Sequence, residues 1–97
     1  MNNALLSLQI IPKTPNGEDV IPYVDRAIEV IQASGVKHQV NALDTTMEGD
    51  LQELLDIVQQ VNDAVIAYGS PSIISQIKIL YAPKGASMDA LTEKYRP

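Results

Sequence analysis

The chain has 97 residues and a formal net charge of −5, with 45% hydrophobic residues, four tyrosines and no cysteine. This hydrophobic content excludes a disordered chain, and the length predicts one domain spanning residues 1–97. The acidic balance and the scattered basic residues argue against a nucleic-acid partner. The lack of cysteine excludes disulfides and thiolate chemistry and is consistent with a cytoplasmic location. No run approaches about 18 apolar residues, so no membrane span is predicted.

The first predicted elements are a strand and a helix. Alternation of apolar and polar residues over 4–11 indicates a strand with one fully apolar face and one mixed face. Apolar residues at helical spacing predict a helix over 19–34. Asp19 is its expected N-cap, and Pro22 is tolerated in the first turn because that N–H would be unpaired. Gly35 is the expected C-terminal stop.

A hairpin and a second helix follow in the middle of the chain. Alternating residues predict strands over 36–41 and 43–48 with a tight turn between them. A strong apolar stripe predicts a helix over 50–68. We expect Asp50 and Glu53 to form a capping box at its start, with the aspartate in place of the usual serine or threonine.

The last predicted elements are a strand over 72–81 and a short helix from Ser87 to about residue 94. The order strand, helix, strand, strand, helix, strand predicts an α+β, ferredoxin-like fold. We expect a four-stranded antiparallel sheet with two helices on one face and a short C-terminal helix. We also expect the first and third strands to lie in the centre, parallel to each other. The mixed face away from the helices predicts contact with a second subunit, with a solvated face as the alternative.

The stretch over 41–50 gathers the short polar side chains that could hold a small ligand. With Leu-x-Leu-Gln-Ile-Ile-Pro in the first strand and Gly-Val-Lys-His-Gln-Val-Asn-Ala-Leu-Asp-Thr-Thr-Met-Glu-Gly-Asp before the second helix, the chain resembles the small thiamine-binding protein family. The likeness runs from Ala4 to the terminal helix. One departure is Asn41-Ala42-Leu43, where family members often carry Gly-Pro-Met or Asn-Pro-Met.

This resemblance implies a homodimer or homotetramer that binds thiamine or its hydroxymethylpyrimidine portion, performs no known chemistry and needs no cofactor. Thiamine carries a cationic thiazolium, which Asp44, Glu48 or Asp50 could offset. Side-chain hydroxyls and amides could exchange hydrogen bonds with the aminopyrimidine edge. The predicted ligand-binding residues are Gln9, Asn41, Asp44, Thr45, Thr46 and Glu48.

Other interpretations of these residues stay open at this point. Thr45 is also a good strand former, Asn41 a good turn former, and Glu48 a possible partner of a helix N-terminus. A small ferredoxin-like enzyme, of isomerase or oxygenase type, would need His38 or a tyrosine aimed into a pocket. A structural role for His38 is favoured, because no partner or metal-ligating companion is evident. A regulatory protein-interaction module is the third alternative.

Overall fold

Four strands form one sheet in the computed structural model, which describes residues 2–96. They are β1 (Ala4–Pro12), β2 (Lys37–Val40), β3 (Thr45–Gly49) and β4 (Ile73–Tyr81). The strand order is β2-β3-β1-β4, and each neighbouring pair is antiparallel. The ferredoxin-like α+β fold and the two edge strands are therefore confirmed.

Three α-helices complete the fold: α1 (Ile21–Ala33), α2 (Leu51–Tyr68) and α3 (Met88–Thr92). The expectation that the two central strands are parallel is wrong, because β1 and β3 pair antiparallel. The reason lies in the connections. The crossover through α1 makes β2 run in the same direction as β1. The tight hairpin between β2 and β3 then reverses the chain, so β3 runs opposite to β1. No helix within residues 2–96 is long and apolar enough to cross a membrane.

The helix ends only partly follow the predicted capping. Asp19 Oδ1 accepts a hydrogen bond of 3.0 Å from the Ile21 N–H. The predicted capping box of α2 is not formed, since Asp50 makes no side-chain cap bond there. Asn3 takes over this role: its Oδ1 accepts from the Leu51 N–H at 2.9 Å, and its Nδ2 donates to Asp50 at 3.2 Å. Asn3, the residue just before β1, therefore caps α2.

The core lies between the sheet and the paired helices α1 and α2. Leu6 and Met47, from the central strands, pack with Leu54, Val61 and Val65 of α2, and all five are fully buried. This apolar layer fixes the sheet register, because a one-residue shift would turn each strand's apolar side chains to the wrong face.

The short helix α3 lies against the opposite face of the sheet. The Ala82 and Ala86 N–H groups donate to the carbonyls of Asn3 and Asn2, which leads the chain across the end of β1. The buried Met88 then begins α3. Part of the mixed face is thus covered by the chain's own C-terminal segment.

Candidate functional site

A cleft forms where the pairing between β1 and β3 stops. The β1–β3 pairing ends at Leu8 and Thr45, whereas β1 continues along β4 as far as Pro12. The hairpin turn, residues 41–44, and the first turns of α1 enclose the space beside these unpaired residues. The resulting cavity has a volume of about 340 Å³. Small-molecule sites commonly have volumes of about 300–1,000 Å³.

The walls of this cavity are mainly aliphatic. Side chains of β1 and of the α1 stripe form its floor, and partly exposed apolar side chains surround its mouth. Such walls favour the faces of a flat heterocycle. The α1 residues that line the cavity are Ile21, Val24, Ala27, Ile28 and Ile31. The apolar residues from the other elements are Leu8, Ile10, Ile11, Pro12, Val20, Val40, Ala42 and Leu43.

Four polar residues also line the cavity, and all four were predicted from the sequence. They are Gln9, Asn41, Asp44 and Thr45. The hairpin places Asn41, Asp44 and Thr45 near one another, and β1 supplies Gln9 on the other side of the cavity. The structure therefore brings together four of the six predicted site residues.

Thr45 is the most deeply placed of these polar groups. It is only 5% exposed, and its hydroxyl makes no hydrogen bond with any residue within 2–96. No described side-chain oxygen or nitrogen is both sealed from solvent and unpartnered. The Thr45 hydroxyl must therefore reach the cavity space, where a ligand could satisfy it.

Asp44 lines the cavity, and two hydrogen bonds hold its carboxylate in a fixed position. Its Oδ2 accepts a hydrogen bond of 2.5 Å from the Ser7 hydroxyl, and its Oδ1 accepts one of 3.1 Å from the Asn41 amide. The Asn41 N–H also donates to the Asp44 carbonyl at 2.8 Å, closing the turn. Both side-chain partners are neutral, so the carboxylate's negative charge is available to a cationic ligand.

Thr46 and Glu48 lie away from this cavity, on the opposite face of the sheet. Thr46 pairs with Ser7 and lines a separate cleft of about 210 Å³ beside Met88. Glu48 is 7% exposed and accepts hydrogen bonds from the Met88 N–H at 2.8 Å and the Asn2 amide at 2.7 Å. The Met88 N–H is the main cause that holds the pKa of Glu48 below its usual value, and it acts against burial. Glu48 thus docks the C-terminal segment.

Two parts of the site were not predicted from the sequence. The mixed face of the first strand was predicted only to contact a second subunit or solvent, yet its Ser7 fixes the Asp44 carboxylate. The apolar residues of α1 were predicted only as a helical stripe, yet Val24 and Ile28 of this stripe line the cavity. An apolar helical stripe has the same sequence signal whether it faces the core or a ligand, so periodicity could not separate the two roles.

The histidine and tyrosines considered for the enzyme alternative lie outside the lining of this cavity. Neither His38 nor any tyrosine is among its lining residues in the part of the chain described. The His38 Nδ1 lies 2.8 Å from the Val36 carbonyl oxygen. Tyr23 donates its hydroxyl to Glu18 at 2.6 Å, and this bond raises the pKa of Tyr23 to about 12, away from that of a useful base. Residues 2–96 also contain no group of three potential metal ligands.

Comparison with known proteins connects this geometry to a family. The family described as "Thiamine-binding protein" matches residues 6–96. A UPF0045 protein of Clostridium perfringens is 38% identical over 96 residues, which span 99% of this chain and 100% of that protein. A UPF0045 protein of Bacillus subtilis is 29% identical over 80 residues, or 78% of this chain and 77% of the relative.

Solved structures agree in fold. A DUF77 domain of Bacillus cereus has a TM-score of 0.90 and 40% identity, covering 99% of this chain and 93% of its own. A Thermotoga maritima protein, named for a provisional role in thiamine biosynthesis or salvage, has a TM-score of 0.87 and 28% identity. That match covers 97% of this chain and 99% of the other. The chain therefore belongs to the thiamine-binding protein family.

Proposed function

We propose that the protein binds thiamine or its hydroxymethylpyrimidine portion in the cavity beside β1, without chemical conversion. The observation that carries this proposal is the deeply placed Thr45 hydroxyl, which has no protein partner and opens into an aliphatic cavity. Because this hydroxyl reaches the cavity space, it is free to exchange a hydrogen bond with water for one with a bound ligand.

The other polar groups of the cavity fit the same ligand. Asp44 offers a fixed negative charge in the lining of the cavity, which would stabilise a thiazolium cation. Gln9 and Asn41 carry amides that both donate and accept, as an aminopyrimidine edge requires. We infer that the pyrimidine lies inward, near Thr45, and the cationic ring outward, near Asp44.

Isothermal titration calorimetry with thiamine and with hydroxymethylpyrimidine tests this function. We expect Thr45→Val to weaken the binding of both ligands about fivefold, since a neutral hydrogen bond contributes about 1 kcal/mol. Thr46→Val is the matched control: the next residue, on the other sheet face, should leave affinity unchanged. If folded wild-type protein shows neither heat of binding nor a rise in melting temperature up to millimolar ligand, the proposed function is wrong.

We also propose that the protein self-associates through the free edge of β4. This nine-residue strand pairs with β1 on one side only, and Ile74, Ile77 and Ile79 are exposed along it. An exposed apolar edge strand readily pairs with another strand. The same strand of a second copy would be a suitable partner for this edge. Antiparallel pairing centred on Ile77 would place Gln76 opposite the second copy's Lys78. Whether two or four copies assemble is tested by light scattering of the purified protein.

A further inference from the structure

A chain of side-chain hydrogen bonds connects the cavity to the C-terminal segment. The Asn41 Nδ2 donates to Asp44 Oδ1 at 3.1 Å, and the Gln39 Nε2 donates to Asn41 Oδ1 at 3.2 Å. The Arg96 Nη2 in turn donates to Gln39 Oε1 at 3.4 Å. Asn41 and Asp44 line the cavity, whereas Gln39 and Arg96 do not. This chain therefore reaches the cavity from outside it.

The edge strand β2 and the segment after α3 bring these groups together. Lys37 and Gln39 are alternate residues of β2, so their side chains lie on the same face of the sheet. The Lys37 Nζ donates to Asp89 Oδ2 at 2.5 Å, and Asp89 Oδ1 lies 3.1 Å from the Arg96 Nη1. Asp89 thus holds Arg96 beside β2, where its second amino group meets Gln39.

The direction of donation along this chain is fixed at both ends. A guanidinium can only donate hydrogen bonds and a carboxylate can only accept them, whereas each amide has a donor end and an acceptor end. Arg96 therefore requires the oxygen of Gln39, which turns the Gln39 NH₂ toward Asn41. The Asn41 oxygen accepts from that NH₂, so its own NH₂ points to Asp44. Reversal of either amide would bring two donors or two acceptors together.

We propose that Gln39 is a positioning residue for ligand binding: it holds the Asn41 amide and, through that amide, the Asp44 carboxylate. Arg96 sets the direction in which the chain donates. This inference rests on the proposed function. Ser7 holds one oxygen of Asp44, and the chain holds the other. A charge that is held in place before the ligand arrives loses less conformational entropy on binding, so the affinity is higher.

Two measurements test the inference together: calorimetric titration with thiamine, and the NMR order parameter of the Asn41 side-chain NH₂ group in the ligand-free protein. Gln39→Met keeps the length of the side chain and removes both hydrogen bonds. We expect a lower order parameter and about threefold weaker thiamine binding, the effect of one exposed neutral hydrogen bond. Gln52→Met is the matched control, which should change neither quantity. Gln52, an exposed residue of α2 outside the cavity, likewise donates to a carboxylate, that of Asp56, at 2.9 Å.

Arg96→Met tests the far end of the chain. By charge alone, the loss of a cation would strengthen the binding of cationic thiamine. We expect the opposite, about twofold weaker binding, because the chain loses its fixed donor. The Asn41 order parameter should fall as well. Arg96→Lys, which keeps a cationic donor, should lie closer to wild type in both measurements.

The outcomes are separable. An unchanged affinity or an unchanged Asn41 order parameter in Gln39→Met overturns the positioning role. Unchanged or tighter binding by Arg96→Met overturns the part assigned to Arg96. If the wild-type protein binds no thiamine, the proposed function is wrong, and the order parameters alone then decide whether Gln39 and Arg96 hold the Asn41 amide.

Discussion

Replacing Glu48 by glutamine tests the structural role that its position indicates. Glu48 is 7% exposed and accepts one hydrogen bond at each oxygen, from the Asn2 amide and from the Met88 N–H. Glutamine has nearly the same shape but offers one oxygen and one NH₂ group. In Glu48→Gln one of these two donors therefore keeps an acceptor, which is now uncharged. The other donor faces an N–H of the glutamine amide.

The magnitude follows from these two bonds. Hydrogen bonds to charged groups contribute about 1.5–3 kcal/mol, and neutral ones about 0.5–1.5 kcal/mol. One charged bond is lost and one becomes neutral, while Asn2 can turn partly to water, so we expect the free energy of unfolding to fall by about 2 kcal/mol. For a domain of this size each kcal/mol lowers the melting temperature by about 4–8 °C, giving about 10 °C.

Urea denaturation and hydrogen exchange at neutral pH provide the assay. We expect faster amide exchange at Ala86 and Met88, together with the lower stability. Asp25→Asn is the control, because it removes an exposed carboxylate for which the structure gives no side-chain hydrogen bond. If Glu48→Gln matches wild type in both measurements, Glu48 does not dock the C-terminal segment.

The lowered pKa of Glu48 adds a pH dependence to the same prediction. A carboxyl group whose pKa is lower in the folded than in the unfolded protein contributes stability above its usual pKa of 4.5. That contribution is lost as the pH falls through the folded-state pKa. The stability difference between wild type and Glu48→Gln should therefore be constant above about pH 4.5 and shrink below it. A difference that grows on acidification would contradict this assignment.

Two further predictions concern α3 and the β4 edge. The Ser87 Oγ accepts a hydrogen bond of 3.1 Å from the Ala90 N–H, so Ser87→Ala should cost about 1 kcal/mol of local stability, measured by hydrogen exchange in α3. Ile77→Lys, at a residue 41% exposed on β4, should convert the assembly to monomers in light scattering. Leu55→Lys, at a residue 38% exposed on α2, should not, and an unchanged assembly in Ile77→Lys would refute the edge interface.

The fold could be predicted because each element has a local signal. The two-residue alternation of β1 and the helical spacing of apolar residues in α2 depend only on neighbouring positions. The parallel central strands were predicted wrongly although the predicted connections already imply the opposite: a helical crossover followed by a tight hairpin makes the third strand antiparallel to the first. The predicted third strand began two residues too early. β3 begins at Thr45, because residues 43 and 44 belong to the turn.

The site was harder to predict because its decisive contacts join distant residues. Alternation alone sets Thr45 and Thr46 on opposite faces, but only pairing with Leu8 shows that Thr45 faces the helices and the cavity. Glu48 was grouped with the ligand residues by its place in the sequence. Its actual partner is Met88, forty positions later, which no local pattern indicates. The same holds for Asn3, which caps α2 in place of the predicted capping box of Asp50 and Glu53.

The cavity exists because its two central strands differ in length. β1 has nine residues and β3 has five, so the last four residues of β1 lack a partner on that side. A longer β3 would extend the ladder and fill this gap with backbone. Instead, Asp44 leaves the ladder and reaches Ser7 with its side chain, which secures the turn while the space beside β1 stays open. The hydrogen bond between Ser7 and Asp44 thus also fixes the one charged side chain that lines the cavity within residues 2–96, so the position of this charge and the position of the cavity have a common origin.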